Sequence, residues 1–134
     1  MKYLVAARIP TVAEYNEVRE AAGLPVKEVR AAELGLANSL FAVCVLFENN
    51  VIGIGRVIGD GGLFHDIVDV AVVPAHQRKG VGDLIMKSLM RYVDENALPT
   101  SLVCLMANHG LAPFYEKYGF KAREAEMPGM IIRK

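Results

Sequence analysis

The stretch Val70-Ala71-Val72-Val73-Pro74-Ala75-His76-Gln77-Arg78-Lys79-Gly80-Val81-Gly82 constrains this chain more than any other. An apolar strand stops at a proline, a short basic loop follows, and two glycines spaced G-x-G lead straight into a helical pattern. The first amides of a helix have no partner inside it and carry partial positive charge. Glycines let that backbone approach a ligand closely. Strand, basic glycine loop and helix start together describe an anion site suited to a pyrophosphate, with Arg78 and Lys79 adding charge at its rim. A plain βα loop with glycines for tight turning has the same pattern, and chemistry alone leaves both open.

The helix after this loop is legible in its period. Val81, Leu84, Ile85, Leu89, Tyr92 and Val93 fall on one stripe between Gly80 and Asn96, and Asp83, Lys87, Arg91, Asp94 and Glu95 fall elsewhere. Upstream, Lys2 to Ile9 reads as a strand. Thr11 with Glu14 has capping-box spacing, which predicts a helix to about Ala22, and a second helix covers about Val26 to Leu36. Leu40 to Glu48 and Val51 to Gly59 form a predicted hairpin around Asn49-Asn50, and Leu63 to Val73 is a longer strand. Ser101 to Met106 is a strand and Asn108 to Tyr118 a short helix that Gly119 ends. Phe120 to Glu124 and Met127 to Ile132 are expected as two last strands. This order gives a mixed α/β sheet, with the Gly80 helix crossing between two parallel strands.

Composition narrows the functions. A length of 134 residues fits one domain, 1–134, and 15 basic side chains cancel 15 acidic ones. Zero net charge argues against nucleic acid or an anionic membrane as the main partner. No run approaches the roughly 18 apolar residues of a membrane span, and Met1 to Ile9 lacks the apolar core of a signal peptide, so the cytoplasm is the default compartment. Cys44 and Cys104 lie in apolar runs and read as buried strand positions. His65, His76 and His109 are scattered, and no metal site is expected. Two nucleotide motifs fail: no Gly-Lys precedes a Ser or Thr, and Gly53-Ile54-Gly55 has Ile58 where a third glycine belongs.

The loop Gln77-Arg78-Lys79-Gly80-Val81-Gly82 resembles the Q/R-x-x-G-x-G/A signature of the GNAT superfamily of N-acetyltransferases. Asn108-His109-Gly110-Leu111-Ala112-Pro113-Phe114-Tyr115-Glu116-Lys117-Tyr118-Gly119-Phe120 is similar to its second signature, N-x-x-A-x-x-F-Y-x-x-x-G-F. Both lie on the expected elements and in order. The resemblance implies a mostly antiparallel central sheet of about seven strands with about four helices and splayed central parallel strands. It implies acetyl-CoA as acetyl-donor co-substrate. Val70, Ala71 and Val72 would then hold pantetheine, and Gln77, Arg78, Lys79, Gly80, Val81 and Gly82 the pyrophosphate. Asn108 would contact the cofactor arm, and Tyr115 would stand near the thioester sulfur as the acid for the leaving thiolate.

Amine acetylation also needs a proton acceptor. Strand alternation puts Asp66 with Val68, Val70 and Val72, and Asp69 with Ile67, Ala71 and Val73. A carboxylate in an apolar strand is costly unless it is functional or paired. Asp66 falls where some family members carry their catalytic carboxylate and is the first choice. Asp69 is second, and pairing with Arg56 on the neighbouring strand is the structural alternative for either. The expected reaction is acetyl transfer to a primary amine by direct attack in a ternary complex. The acceptor is a small-molecule amine, or less readily a protein amine. A non-catalytic acyl-CoA-binding domain is the competing reading. The Met127-Pro128-Gly129-Met130 run lines an acceptor pocket or packs in the core. A homodimer through the last strands fits the resemblance, but no residue marks it.

Overall fold

A computed structural model of the protein describes residues 2–134; Met1, at the start of the segment read for an export signal, lies outside them. Five strands form one sheet in the order β1 (Leu4–Ala6), β2 (Phe41–Phe47), β3 (Asn50–Gly59), β4 (Phe64–Val72) and β5 (Leu102–Leu105). All neighbours are antiparallel except β4 and β5, which are parallel. Helix α3 (Val81–Asn96) crosses between those two strands and packs on one face, where Val81, Ile85, Met86, Leu89 and Val93 are buried. Helices α1 (Val12–Ala21) and α2 (Val29–Ala37) cover the other face through Tyr15, Val18, Ala32 and Leu36. A short helix, α4 (Ala112–Glu116), follows β5. Among the described residues no helix is long and apolar enough to cross a membrane.

Local chemistry explains most boundaries. The Thr11–Glu14 capping box forms with both of its bonds, and Arg8 grips the Glu14 carboxylate at 2.9 and 3.0 Å. Helix α2 starts at Val29, three residues past the expected Val26, because the Glu28 carboxylate accepts from the amides of Arg30 and Ala31. The β2–β3 turn falls on Glu48 and Asn49, one residue before the expected Asn49-Asn50 pair. Both have positive φ, 50° and 66°, as a two-residue hairpin turn requires. Gly53 and Gly55 serve helix packing. A Cβ on Gly55 would lie 2.5 Å from Ile85 Cγ2, so the bare backbone lets α3 seat on β3.

Other expectations are corrected. Among the described residues the sheet has five strands, not seven. Phe120 to Glu124 and Met127 to Ile132 form no ladder, and residues 121–134 are exposed. A strand exists only through a partner. β5 offers four residues, and Pro128 lacks a donor. The Lys2–Ile9 strand shrinks to Leu4–Ala6, because a turn bond from the Arg8 amide to the Ala6 carbonyl and then Pro10 end it. The Asn108–Tyr118 helix shrinks to Ala112–Glu116. Cys44 is buried as expected, but Cys104 is exposed, because β5 is an edge strand with one face open.

Candidate functional site

The decisive local event is a bulge in β4. Gly53 pairs with Val72 and Ile54 with Ala71, but Arg56 pairs with Val68, so the register slips around Asp69 and Val70. Asp69 adopts a left-handed conformation, φ 58°. The extra residue reverses the alternation read from the sequence. Ile67, Val70 and Val72 now pack on the α3 side, and Ala71 packs on the α1–α2 side, toward which Asp69 also points. Asp66 and Asp69 therefore share a face, and Asp66 no longer shares one with Val70 and Val72.

The same bulge marks where the sheet splits. The β4–β5 ladder runs from Phe64↔Leu102 to Ile67↔Leu105 and stops. Beyond it, β4 continues beside β3, and among the described residues the other edge of Val70, Ala71 and Val72 has no strand partner.

That open edge leads into the glycine loop. Pro74–His76 forms one 3-10 turn, fixed by a 2.9 Å contact between Tyr3 Oη and His76 Nδ1. Gln77 folds back, donating from Nε2 to the Val72 carbonyl at 2.9 Å. Arg78 and Gly80 both take positive φ, 61° and 83°. Gly80 caps α3 without any side-chain acceptor, so among the described residues no cap side chain competes for the first amides of the helix. Gly82 leaves room for α4, since a Cβ there would meet the Phe114 ring at 3.3 Å. Asp83 could repel an anion, but Tyr118 donates to it and Lys87 pairs with it at 3.2 Å. The Tyr118 bond, then that with Lys87, holds its carboxyl below the usual range.

On the α1–α2 side of the split lies a cleft of ≈940 Å³. Asp66, Val68 and Asp69 form part of its wall, Asn108 and Tyr115 close it beside the end of β5, and residues 132–134 reach its rim. Tyr115 is only 8% exposed, and burial raises its hydroxyl pKa above the ordinary value.

The two candidate carboxylates have different surroundings. Asp69 receives Arg19 Nη1 and Arg56 Nε, each at 2.8 Å, and the Tyr15 hydroxyl at 3.0 Å. Both guanidinium carbons also stand over the Tyr15 ring, at 5.5 and 5.9 Å from its centre. This is the Arg56 pairing foreseen as the structural alternative, with Arg19 and Tyr15 added from α1. Asp66 pairs with no cation among the described residues. Burial raises its carboxyl pKa, and a 3.5 Å bond donated by the Cys104 thiol opposes that rise. Arg19 and Tyr15 were not singled out in the sequence and Cys104 was read there only as core, since only the register and the α1 packing bring them here.

A parallel strand pair split open beside an uncapped helix start defines a mixed α/β domain with a glycine-rich βα loop at the split. Comparison with known proteins makes the class specific. Residues 11–120 match the family model described as the acetyltransferase (GNAT) family, and the chain belongs to that family. A crystal structure from meticillin-resistant Staphylococcus aureus, described as a protein of unknown function and probable acetyltransferase, is 38% identical with a TM-score of 0.94, covering 99% of this chain and 100% of that one. A GNAT acetyltransferase from Brucella melitensis, solved in complex with acetyl-CoA, has the same fold at 20% identity and a TM-score of 0.67, covering 90% of this chain and 84% of its own. Among curated relatives, the uncharacterized N-acetyltransferase ycf52 of Porphyra purpurea is 23% identical over 133 residues, 96% of this chain and 75% of that protein. A ycf52-like relative from Prochlorococcus marinus is 28% identical over 80% of this chain, which spans 61% of it.

Proposed function

We propose that the protein transfers an acetyl group from acetyl-CoA to a primary amine by direct attack in a ternary complex. The observation that carries this reading is the continuity of the site: the unpaired edge of Val70–Val72 runs into the uncapped start of α3, and the cleft with Asp66 and Tyr115 lies beside the same split. The Brucella melitensis relative was solved with acetyl-CoA, which supports the choice of donor.

The residues present fit such a donor. Amides at the start of α3, with Arg78 and Lys79 beside them, suit a pyrophosphate. The edge of Val70, Ala71 and Val72 that faces away from β3, where the Val72 carbonyl accepts from Gln77, suits an amide-bearing arm laid along the strand. Asn108 stands at the cleft and can contact that arm. The donor supplies an acetyl thioester, whose acetyl group passes to a neutral amine and whose sulfur leaves as a thiol.

Each remaining task falls to a named group. Asp66, basic because it is half-buried and unpaired with any cation, takes the proton from the amine. Tyr115 keeps its proton across neutral pH, since burial raises its pKa, and delivers it to the departing sulfur. Asp69, held by two guanidinium groups, keeps the bulge in place.

Titration with acetyl-CoA, followed by thiol release over a panel of amines, tests the reading. Release with at least one amine is expected, and binding without release for every amine would turn the reading toward a binding module. Tyr115→Phe should lower kcat by at least roughly tenfold and leave acetyl-CoA affinity unchanged. An unchanged kcat removes Tyr115 from the mechanism.

A further inference from the structure

The parallel register places Asp66 opposite Cys104, so the two side chains emerge on the same face of the sheet. On that face β5 is open: Leu102 and Cys104 are exposed, and so is Met106 just beyond the strand. A thiol here is no core filler. Its Sγ lies 3.5 Å from Asp66 Oδ1 and donates to it.

We propose that Cys104 is a positioning residue, whose thiol fixes the Asp66 carboxylate through Oδ1 and leaves Oδ2 to face the acceptor. The proposal rests on Asp66 as the base. In the step, one proton passes from the acceptor nitrogen to Oδ2, and the thiol keeps its own. No bond to sulfur forms.

The contrast between the two carboxylates on this face explains why a weak donor suits the position. Asp69 accepts charged bonds from two guanidinium groups, which hold it as a structural anion. The same treatment would make Asp66 a poor base. A thiol is a weak donor, so it can orient a carboxylate and leave it basic. Burial and the neighbouring carboxylate also raise the Cys104 pKa, which keeps the thiol protonated as a donor.

The titratable groups around Asp66 come from every element at the cleft. They are Arg19 from α1, Lys27 and Glu28 ahead of α2, Asp69 on β4, Tyr115 from α4, and Arg133 and Lys134 at the rim. Among the described residues none of them bonds to Asp66. Burial raises its pKa and Cys104 lowers it, and no charged neighbour adds to either.

The test compares Cys104→Ala and Cys104→Ser with the unsubstituted protein. Three measurements are made: the NMR titration of the Asp66 carboxyl carbon, the pH profile of kcat/KM with the fastest amine of the panel, and acetyl-CoA affinity. In Cys104→Ala the Asp66 titration should move up and the acidic limb of kcat/KM should follow it. The expected loss below that limb is roughly threefold, the worth of one modest hydrogen bond. Serine, which restores a donor, should bring both back to or below their starting values, and acetyl-CoA affinity should stay constant throughout. An Asp66 titration that does not move in Cys104→Ala overturns the contact and leaves Asp66 as base untouched. A titration that moves without the acidic limb overturns the positioning role together with Asp66 as base.

Discussion

Replacing Asp69 tests the cleft wall most sharply. Its side chain is 9% exposed, and it faces Arg19 and Arg56 side chains that are 9% and 11% exposed. Alanine removes the anion and leaves two nearly buried cations without a counter-charge. Breaking a buried pair by deleting one partner costs about 3–5 kcal/mol, mostly as the uncompensated charge. Tyr15 also loses an acceptor for its hydroxyl, about 1 kcal/mol. Part of this returns, because Arg19 keeps its bond to the Pro25 carbonyl and Arg56 its bonds to the Gly35 carbonyl and the Ser39 hydroxyl. The net expectation for Asp69→Ala is therefore about 3–5 kcal/mol. That is a large part of the roughly 5–15 kcal/mol that holds a domain folded. Asp69→Asn keeps an acceptor and tolerates the left-handed φ of 58°, so it should cost about half as much. Urea unfolding followed by circular dichroism reads both, as a drop in midpoint at constant slope. A loss below about 1 kcal/mol for alanine would refute the reasoning. So would an Asn variant as damaged as the Ala variant, since the acceptor oxygen and the tolerated backbone that asparagine retains would then count for nothing.

Two further outcomes are expected. Gly55→Ala should cost about 1–3 kcal/mol, read as a lower melting temperature, because its Cβ would lie 2.5 Å from Ile85 Cγ2 and 3.0 Å from Leu89 Cδ1 in the packed core; an unchanged melt would mean that α3 shifts freely on the sheet. The Arg8 bond, chiefly, lowers the folded pKa of Glu14 to about 2, below its unfolded value of about 4.3. The charged form thus contributes its full stability above the unfolded value and loses it as pH falls toward about 2. Its side chain is 27% exposed, and solvent screening keeps the contribution under about 1 kcal/mol. Glu14→Gln should therefore be less stable than the parent at pH 7 and equal to it near the low end of that window, and a pH-independent difference would contradict the Arg8–Glu14 account.

Features carried by contiguous residues were legible from the sequence. The 16-residue α3 repeats its apolar stripe often enough to be unmistakable, and the Thr11 capping box and the Gly80 loop are each written within a few positions. Features that depend on a partner were not. Phe120 to Ile132 was expected to add two strands, but it is rich in Lys, Ala, Glu, Pro and Gly, and among the described residues it finds no strand to pair with. The two-residue period misplaced Asp66 relative to Val70 and Val72, because a bulge shifts the phase of everything after it. Arg19 and Tyr15 reach Asp69 from 50 and 54 residues away, a distance no local motif spans. Apolar neighbours made Cys104 look like core, and only the open face of β5 corrects that.

The bulge at Asp69 divides β4 into two stretches of opposite phase that evolution can edit separately. Substitutions before it change the cleft wall that Asp66 and Val68 form. Those after it change the edge that leads to the start of α3. A single inserted residue thus sets which way one end of β4 faces independently of the other. Deleting Asp69 would leave Val70 and Val72 on the α3 side, but it would remove the acceptor that Arg19, Arg56 and Tyr15 share.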